Sequence, residues 1–323
     1  MNKLKPLIGN SVVNQIAFVV HDIESASEAF AKLLGIPKPE WFLTGSQDIS
    51  QVVFKGEPSA ARSKLVFINT PSVQIELIEP NGDPSTMREF LDTVGEGIHH
   101  IAFDVDHMQD QLTTLEEHGF PVLQTGEFTS SNGRYAYVDT LDVHKTLVEL
   151  LEREEPQTNS SHQPAEESEI QPLLGTDTIT QIAIVVHDIE SASDAYCKLF
   201  GIEKPSIITA GPSEITKIEF QGKPTEAKAK FMFIKTPLIE LELIEPDDDS
   251  QSIWKDHLDT KGEGVHHIAF VVKNIQDKID VLEQMGYPLI QKGYFWNGKG
   301  EYAYMDTTST YKVIIELLEK YED

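Results

Sequence analysis

"GEGIHHIAFDVD" at residues 95–106 returns as "GEGVHHIAFVVK" at residues 262–273. Each copy sets paired histidines ahead of an apolar run, and each follows a strand-like segment with a glutamate in its middle, "QIELIEP" at 74–80 and "ELELIEP" at 240–246. Apolar strands seldom keep an acidic side chain inside them unless it has a partner. Upstream, "QIAFVVHDIESASEAFAKLLGI" (15–36) returns as "QIAIVVHDIESASDAYCKLFGI" (181–202); downstream, "GRYAYVDT" and "LVELLER" return as "GEYAYMDT" and "IIELLEK". Gln15 to Gln181 and Glu76 to Glu242 are shifts of 166, whereas His100 to His267 and Glu149 to Glu316 are shifts of 167, so one residue was gained in the loop after Pro246. The chain is an internal duplication.

Between the copies, residues 154–176 are polar, acidic and rich in Ser and Pro, a composition that cannot bury enough apolar surface to order itself. This linker separates two expected domains, 9–153 and 177–321. A length of 323 residues with 40% hydrophobic content supports two cores. The net charge of -27, from 26 basic and 53 acidic residues, argues against a nucleic-acid or anionic-membrane partner. A single cysteine, Cys197, excludes an intrachain disulfide and suits a reducing compartment. No window approaches about 18 apolar residues, so a cytoplasmic protein is expected.

Each half is itself a pair of similar pieces. "NQIAFVV" alternates like a strand; Asp22 can cap the helix that follows, Ala26, Ala29, Phe30 and Leu33 form its apolar stripe, and Gly35 ends it. Strands are expected at "SQVVFKG", "KLVFIN" and "VQIELIE", after which the pattern restarts with "HHIAFDV", a helix stopped at Gly119, and strands at "PVLQ", "YAYVDT" and "LVELLE". The unit is βαβββ, used four times. The expected fold class is α+β: cupped antiparallel sheets with helices on one face.

Strand alternation puts Gln15 on the face of Ala17 and Val19. His100 takes the corresponding slot in the second module, and Glu76 and Glu149 lie in the last strands of the two modules. Gln15, Glu76, His100 and Glu149 are therefore expected on one cup, and Gln181, Glu242, His267 and Glu316 on the other, although the sequence equally allows Gln15 and Glu76 to meet His267 and Glu316 across the halves. An amide oxygen, an imidazole and two carboxylates suit a divalent ion such as Zn, Ni, Co, Mn or Mg, and lack the thiolates of structural zinc sites. Alternation sends His99 and His266 to the opposite face as structural residues. His21 and His187 precede helix starts and are read as local hydrogen-bonders.

At these residues the chain resembles the vicinal-oxygen-chelate superfamily, the fold of glyoxalase I and methylmalonyl-CoA epimerase, as two tandem glyoxalase/bleomycin-resistance-type domains covering nearly everything but the linker. The phrasing around "GEGIHHIAFDVD" resembles the epimerase branch. Epimerases usually carry His where this chain has Gln15 and Gln181, and the Gln, Glu, His, Glu set is similar to that of some zinc glyoxalase I enzymes. The resemblance implies a metal-dependent isomerase or lyase that moves a proton next to a carbonyl through a metal-bound enolate, acting on a small carbonyl compound such as a thioester or thiol adduct. It implies Glu149 and Glu316 as ligands that also act as base, with Glu219 of "TKIEFQG" as a second base in the second half, where the first has Val53. Two other activities share the fold: non-catalytic binding or resistance proteins, and extradiol dioxygenases, which need two histidines and one carboxylate on iron. Homologous domains of this kind pair, so an intrachain pseudo-dimer, complete as a monomer, is expected.

The copies differ in the turn before "YAY", "EFTSSNGR" against "YFWNGKGE", which exchanges Thr129 for Trp296 and Arg134 for Glu301. Phe128 and Phe295 are expected at the cup mouths. The exchange of a cation for a carboxylate predicts that the cups differ in their taste for anions.

Overall fold

The computed structural model describes residues 5–130, 132–154, 170–247 and 249–321. Most of the expected linker, residues 155–169, lies outside them. The chain divides into two compact units, and each half of the sequence supplies its own ten-stranded sheet. In the first half the strand order is Phe42–Leu43, Ser63–Asn69, Gln74–Pro80, Gln15–Val19, Gly97–Asp104, Leu147–Arg153, Gly133–Val138, Val122–Glu127, Val53–Phe54, Glu57–Pro58. Gln15–Val19 runs parallel to Gln74–Pro80 and antiparallel to Gly97–Asp104, which is itself parallel to Leu147–Arg153. The first strands of both βαβββ modules thus lie side by side at the centre. The second half repeats this order with strands from Ile208–Thr209 through Gln181–Val185 and Gly264–Val271 to Lys223–Pro224.

One expected strand belongs elsewhere. "SQVVFKG" does not join its own module; Val53–Phe54 pairs with Val122–Glu127 at the far edge. Leu43 and Val53 are ten residues apart yet sit eight strand positions apart. A flat sheet would separate them by ~38 Å, while the fully extended link reaches ~35 Å and is shortened further by the helical turn Gln47–Ser50. The sheet therefore curls, and its inner face becomes a cup.

The outer face carries the crossover helices. Helix Ile23–Leu34 starts where Asp22 accepts from the Glu24 and Ser25 amides and stops at Gly35, whose φ is +67°. Its stripe meets the outward side chains of the central strand, with the Phe18 and Phe30 rings 5.1 Å apart. A second device fixes each such helix. Glu79 accepts from the Ile23 amide at 3.0 Å and Glu245 from Ile189 at 2.8 Å; Glu152 accepts from Met108 at 2.8 Å and Glu319 from Ile275 at 2.7 Å. Each of these glutamates follows by three residues one of the inward glutamates Glu76, Glu242, Glu149 and Glu316, and an odd step along a strand reverses the face. "E-L-I-E" and "E-L-L-E" are thus one acid for the cup and one for an orphaned helix amide.

Replacing Glu79 or Glu245 by Ala should cost about 1 kcal/mol of unfolding free energy in urea, with divalent-ion stoichiometry unchanged. Unaltered stability would show that these carboxylates do not cap.

Not every helix is on the outer face. Thr86–Thr93 and Ile253–Lys261, two helices not anticipated from the sequence, close over the cups; Met87 and Leu91 pack with Ala17, Val19 and Tyr137, and Trp254 and Leu258 with Ala183, Val185 and Tyr304. Ser85 and Ser252 cap them by accepting from the Arg88 and Lys255 amides. Among the described residues no helix is long and apolar enough to cross a membrane.

Candidate metal centres

The strands Gln74–Pro80, Gly97–Asp104 and Leu147–Arg153 bring Glu76, His100 and Glu149 together, with one potential donor atom of each inside a 4.8 Å sphere of mutual distance. Glu242, His267 and Glu316 repeat the cluster within the second half. His100 Nε2 is 3.0 Å from Glu149 and 3.5 Å from Glu76; His267 Nε2 is 3.0 Å from Glu316 and 3.4 Å from Glu242. All six side chains are buried. Despite these distances, His100 Nε2, Glu149 Oε2, His267 Nε2, Glu316 Oε2 and Glu242 Oε2 have no partner in hydrogen-bond geometry. These buried atoms, close together but without hydrogen-bond partners, are available to a shared ligand.

Gln15 lies on the strand between those of Glu76 and His100. It lines the same cavity and donates from Nε2 to Gln74 Oε1 at 2.8 Å, which leaves its buried Oε1 without a partner. Gln181 lines the second cavity beside Glu240, the counterpart of Gln74. Orphaned buried acceptors are costly, and a nitrogen with three oxygens is a donor set that fits a divalent cation.

The electrostatics are those of a site that prefers to hold positive charge. Burial alone would lower the His100 pKa, but Glu149 foremost, with Glu76, raises it to about 9; Glu316 and Glu242 do the same for His267, also to about 9. Burial raises Glu76, and raises Glu242 to about 7, against the opposing pull of their histidines. Burial, then Glu149 and Glu76, push the Tyr137 phenol far above its usual range, so its hydroxyl remains a neutral donor beside the cluster; Tyr304 is held likewise.

The first cluster opens into a cavity of about 490 Å³ with Arg62, Met87, Phe128, Thr129 and Arg153 in its wall. The second opens into one of about 600 Å³, walled by Phe231, Phe233, Trp254, Trp296, Lys235 and Lys320. Phe128 and Phe295 line the cavities, as expected of mouth residues, and so do Thr129 and Trp296.

Three expectations need correction. Glu219 is not brought to the cup: it sits on the short edge hairpin, half exposed, 3.5 Å from Lys292. Arg134 and Glu301 also lie outside the cavity walls. Arg134 holds the helix-capping Glu152 at 2.6 Å, and Glu301 accepts from the Tyr321 hydroxyl; cations do reach the cavities, but as Arg62, Arg153, Lys235 and Lys320. Lastly, His99 and His266 are not on the opposite face. Strand pairing skips them, Ala17 facing His100 and Phe18 facing Ile98, with Ala183, His267, Ile184 and Val265 the same. This bulge breaks strict alternation and turns both rings of each pair toward the cup side, where His99 meets Phe90 and Tyr137. His21 and His187 are exposed, and their backbone amides donate to Glu96 and Glu263.

A family model for the glyoxalase/bleomycin resistance protein/dioxygenase superfamily matches residues 14–138 and again 180–304. The ethylmalonyl-CoA/methylmalonyl-CoA epimerase of Cereibacter sphaeroides is 31% identical over 141 residues, which is 43% of this chain and 95% of that protein. The mitochondrial methylmalonyl-CoA epimerase of Dictyostelium discoideum is 24% identical over 148 residues, 45% of this chain and 81% of that protein. Among solved structures, a mutant of 4-hydroxymandelate synthase from Streptomyces coelicolor superposes with a TM-score of 0.59 at 14% identity, over 97% of this chain and 94% of that one, a likeness of fold.

Proposed function

The chain belongs to the glyoxalase/bleomycin resistance protein/dioxygenase superfamily, and from that premise we propose that its two halves, residues 9–153 and 177–321, are divalent-metal enzymes of the glyoxalase or epimerase type. Each moves a proton next to the carbonyl of a small acyl compound, a thioester above all. The observation that carries this reading is the set of partnerless buried donors at one cavity: Gln15 Oε1 and Glu149 Oε2 in its wall, and His100 Nε2 just behind, 3.0 Å from Glu149. Its repetition around His267 supports the same reading for the second half.

The ligands would be Gln15, Glu76, His100 and Glu149, and Gln181, Glu242, His267 and Glu316. Held there, an ion such as zinc, nickel, cobalt, manganese or magnesium would supply Lewis-acid stabilisation of the negative charge that develops on a carbonyl oxygen. The protein supplies the rest. Glu149 Oε2 takes the proton from the carbon beside the carbonyl, from which it is delivered to another carbon or face, and Glu316 acts likewise in the second cup. Gln74 pins the Gln15 amide so that only its oxygen faces inward. Arg62 and Arg153 in one wall and Lys235 and Lys320 in the other favour an anionic substrate in a chain of net charge -27. One imidazole and two carboxylates differ from the two-histidine, one-carboxylate set of iron oxygenases, which favours proton transfer over oxygen chemistry. An acidic chain with a single cysteine suits a reducing cytoplasm.

Incubation of the zinc-loaded chain with methylmalonyl-CoA in D2O tests the reading. We expect deuterium at the carbon between the carbonyls, abolished by chelator. Glu149→Gln and Glu316→Gln should each remove about 100-fold or more of one cup's rate, and unequally, because Trp254 and Trp296 wall the second cavity where Met87 and Thr129 wall the first, so the two shape their substrate differently. Tight acyl-thioester binding by the loaded protein without any exchange would favour a sequestering module instead.

A further inference from the structure

Beside each inward histidine stands a second whose ring closes on it. His99 Nδ1 lies 2.8 Å from His100 Nδ1, and His266 Nδ1 lies 2.8 Å from His267 Nδ1. Two ring nitrogens at this distance share one proton, one donating and the other accepting. The direction follows from the far side of the inner ring, whose Nε2 faces two carboxylates in each cup. A neutral imidazole that spends its Nε2 lone pair on a cation keeps its only proton on Nδ1. The outer ring must then accept at Nδ1 and carry its own proton on Nε2.

We propose that His99 and His266 are positioning residues, which accept from the Nδ1–H of His100 and His267 and so fix the tautomer and ring plane that turn each Nε2 into its cup. The proposal rests on the metal reading above.

The fold is arranged for this. The bulge opposite Ala17 and Phe18, and opposite Ala183 and Ile184, removes the outer histidine from the ladder and swings it next to its neighbour. Its ring is then clamped edge-on by Phe90 and Tyr137 in the first half, centroids 5.3 and 5.5 Å away, and by His257 and Tyr304 in the second, at 5.0 and 5.7 Å. A carboxylate in this position would orient the inner ring equally well but would add a third negative charge to a buried site that already holds two. A neutral ring orients without that cost.

Nitrogen-15 spectroscopy of the full chain, with and without zinc, reads the geometry directly. We expect a scalar coupling across the N–H···N bond between the paired Nδ1 atoms in both states, and loss of the proton from His100 and His267 Nε2 when zinc is added. His99→Leu, which removes the acceptor, should weaken zinc binding in the first cup by about 10- to 100-fold and leave the second unchanged. His99→Asn, whose Oδ1 stands where Nδ1 stood, should retain most of the affinity. Zinc bound by a wild-type chain without the coupling, or with Nδ1 of the inner ring bare, overturns the proposal alone. So does an unchanged affinity in a folded His99→Leu chain. A wild-type chain that binds no zinc overturns the metal reading, and this proposal with it.

Discussion

Titration of zinc into the metal-free chain should fill two sites, and His100→Ala or His267→Ala should each delete one of them. Either histidine is the only nitrogen donor among the four side chains of its cup, and its removal leaves two buried carboxylates facing each other without the cation between them. We expect an affinity loss of at least about 100-fold in the altered cup, and no uptake by the double variant. The binding also moves protons. With His100 and His267 raised to about 9, each holds a proton on Nε2 at pH 7 that a cation must displace. Calorimetry in two buffers of different ionisation enthalpy should therefore count at least about one proton released per ion, with a further fraction from Glu242, whose pKa is raised to about 7. No uptake by a folded wild-type chain would remove the enzyme reading, and uptake of a single ion would confine it to one cup.

Without metal, the protein should lose stability as pH rises from about 6.5 to 9. A histidine whose folded pKa is raised from 6.5 to about 9 contributes stability that is complete below pH 6.5 and gone once pH passes the folded value. The raised glutamates act in the same direction: Glu242, moved from 4.5 to about 7, favours folding at low pH and loses that contribution as pH climbs through 7, and Glu76 follows. The histidine contribution is at most roughly 3 kcal/mol per cup. Bound zinc replaces the Nε2 proton, so the loaded chain should show little slope. Urea midpoints at pH 6 and pH 9, with zinc and with chelator, measure the difference; equal slopes in the two states would show that the cups do not carry the charge assigned to them.

The duplication, the four modules and the inward donors were legible because they depend on local pattern. A glutamate inside "IELIEP" and a histidine before "IAF" recur at matched strand positions, and strand alternation assigns their faces. The pattern failed where a long-range contact overrides the local period. His99 obeys alternation only in an unbroken ladder, and the register shift opposite Phe18 has no signature in "GIHHIAF" itself. Val53–Phe54 reads as an ordinary strand, and nothing local says that it pairs across the far edge, which is also why Glu219 seemed placed to serve the cup. Arg134 looked like a rim cation because its partner, Glu152, lies on a neighbouring strand. The cup-closing helices did leave a signal, Ser85 and Ser252 at their starts and Gly95 and Gly262, with φ of +98° and +81°, just past their ends.

The link from Leu43 to Val53 acts as a belt around the sheet. Its length sets the circumference of the mouth, and it is buckled on the opposite side, where the Gly45 amide donates to the Thr129 hydroxyl at 2.9 Å. A side chain at Gly45 would strike Ser50 and Ile49 within the belt itself, so the buckle can hardly be thickened. The donors of the cup, by contrast, all sit on the central strands, away from either edge. Aperture and donor set are therefore fixed by separate stretches of chain: letting the belt out by a few residues would admit a bulkier ligand while the inner residues kept their spacing.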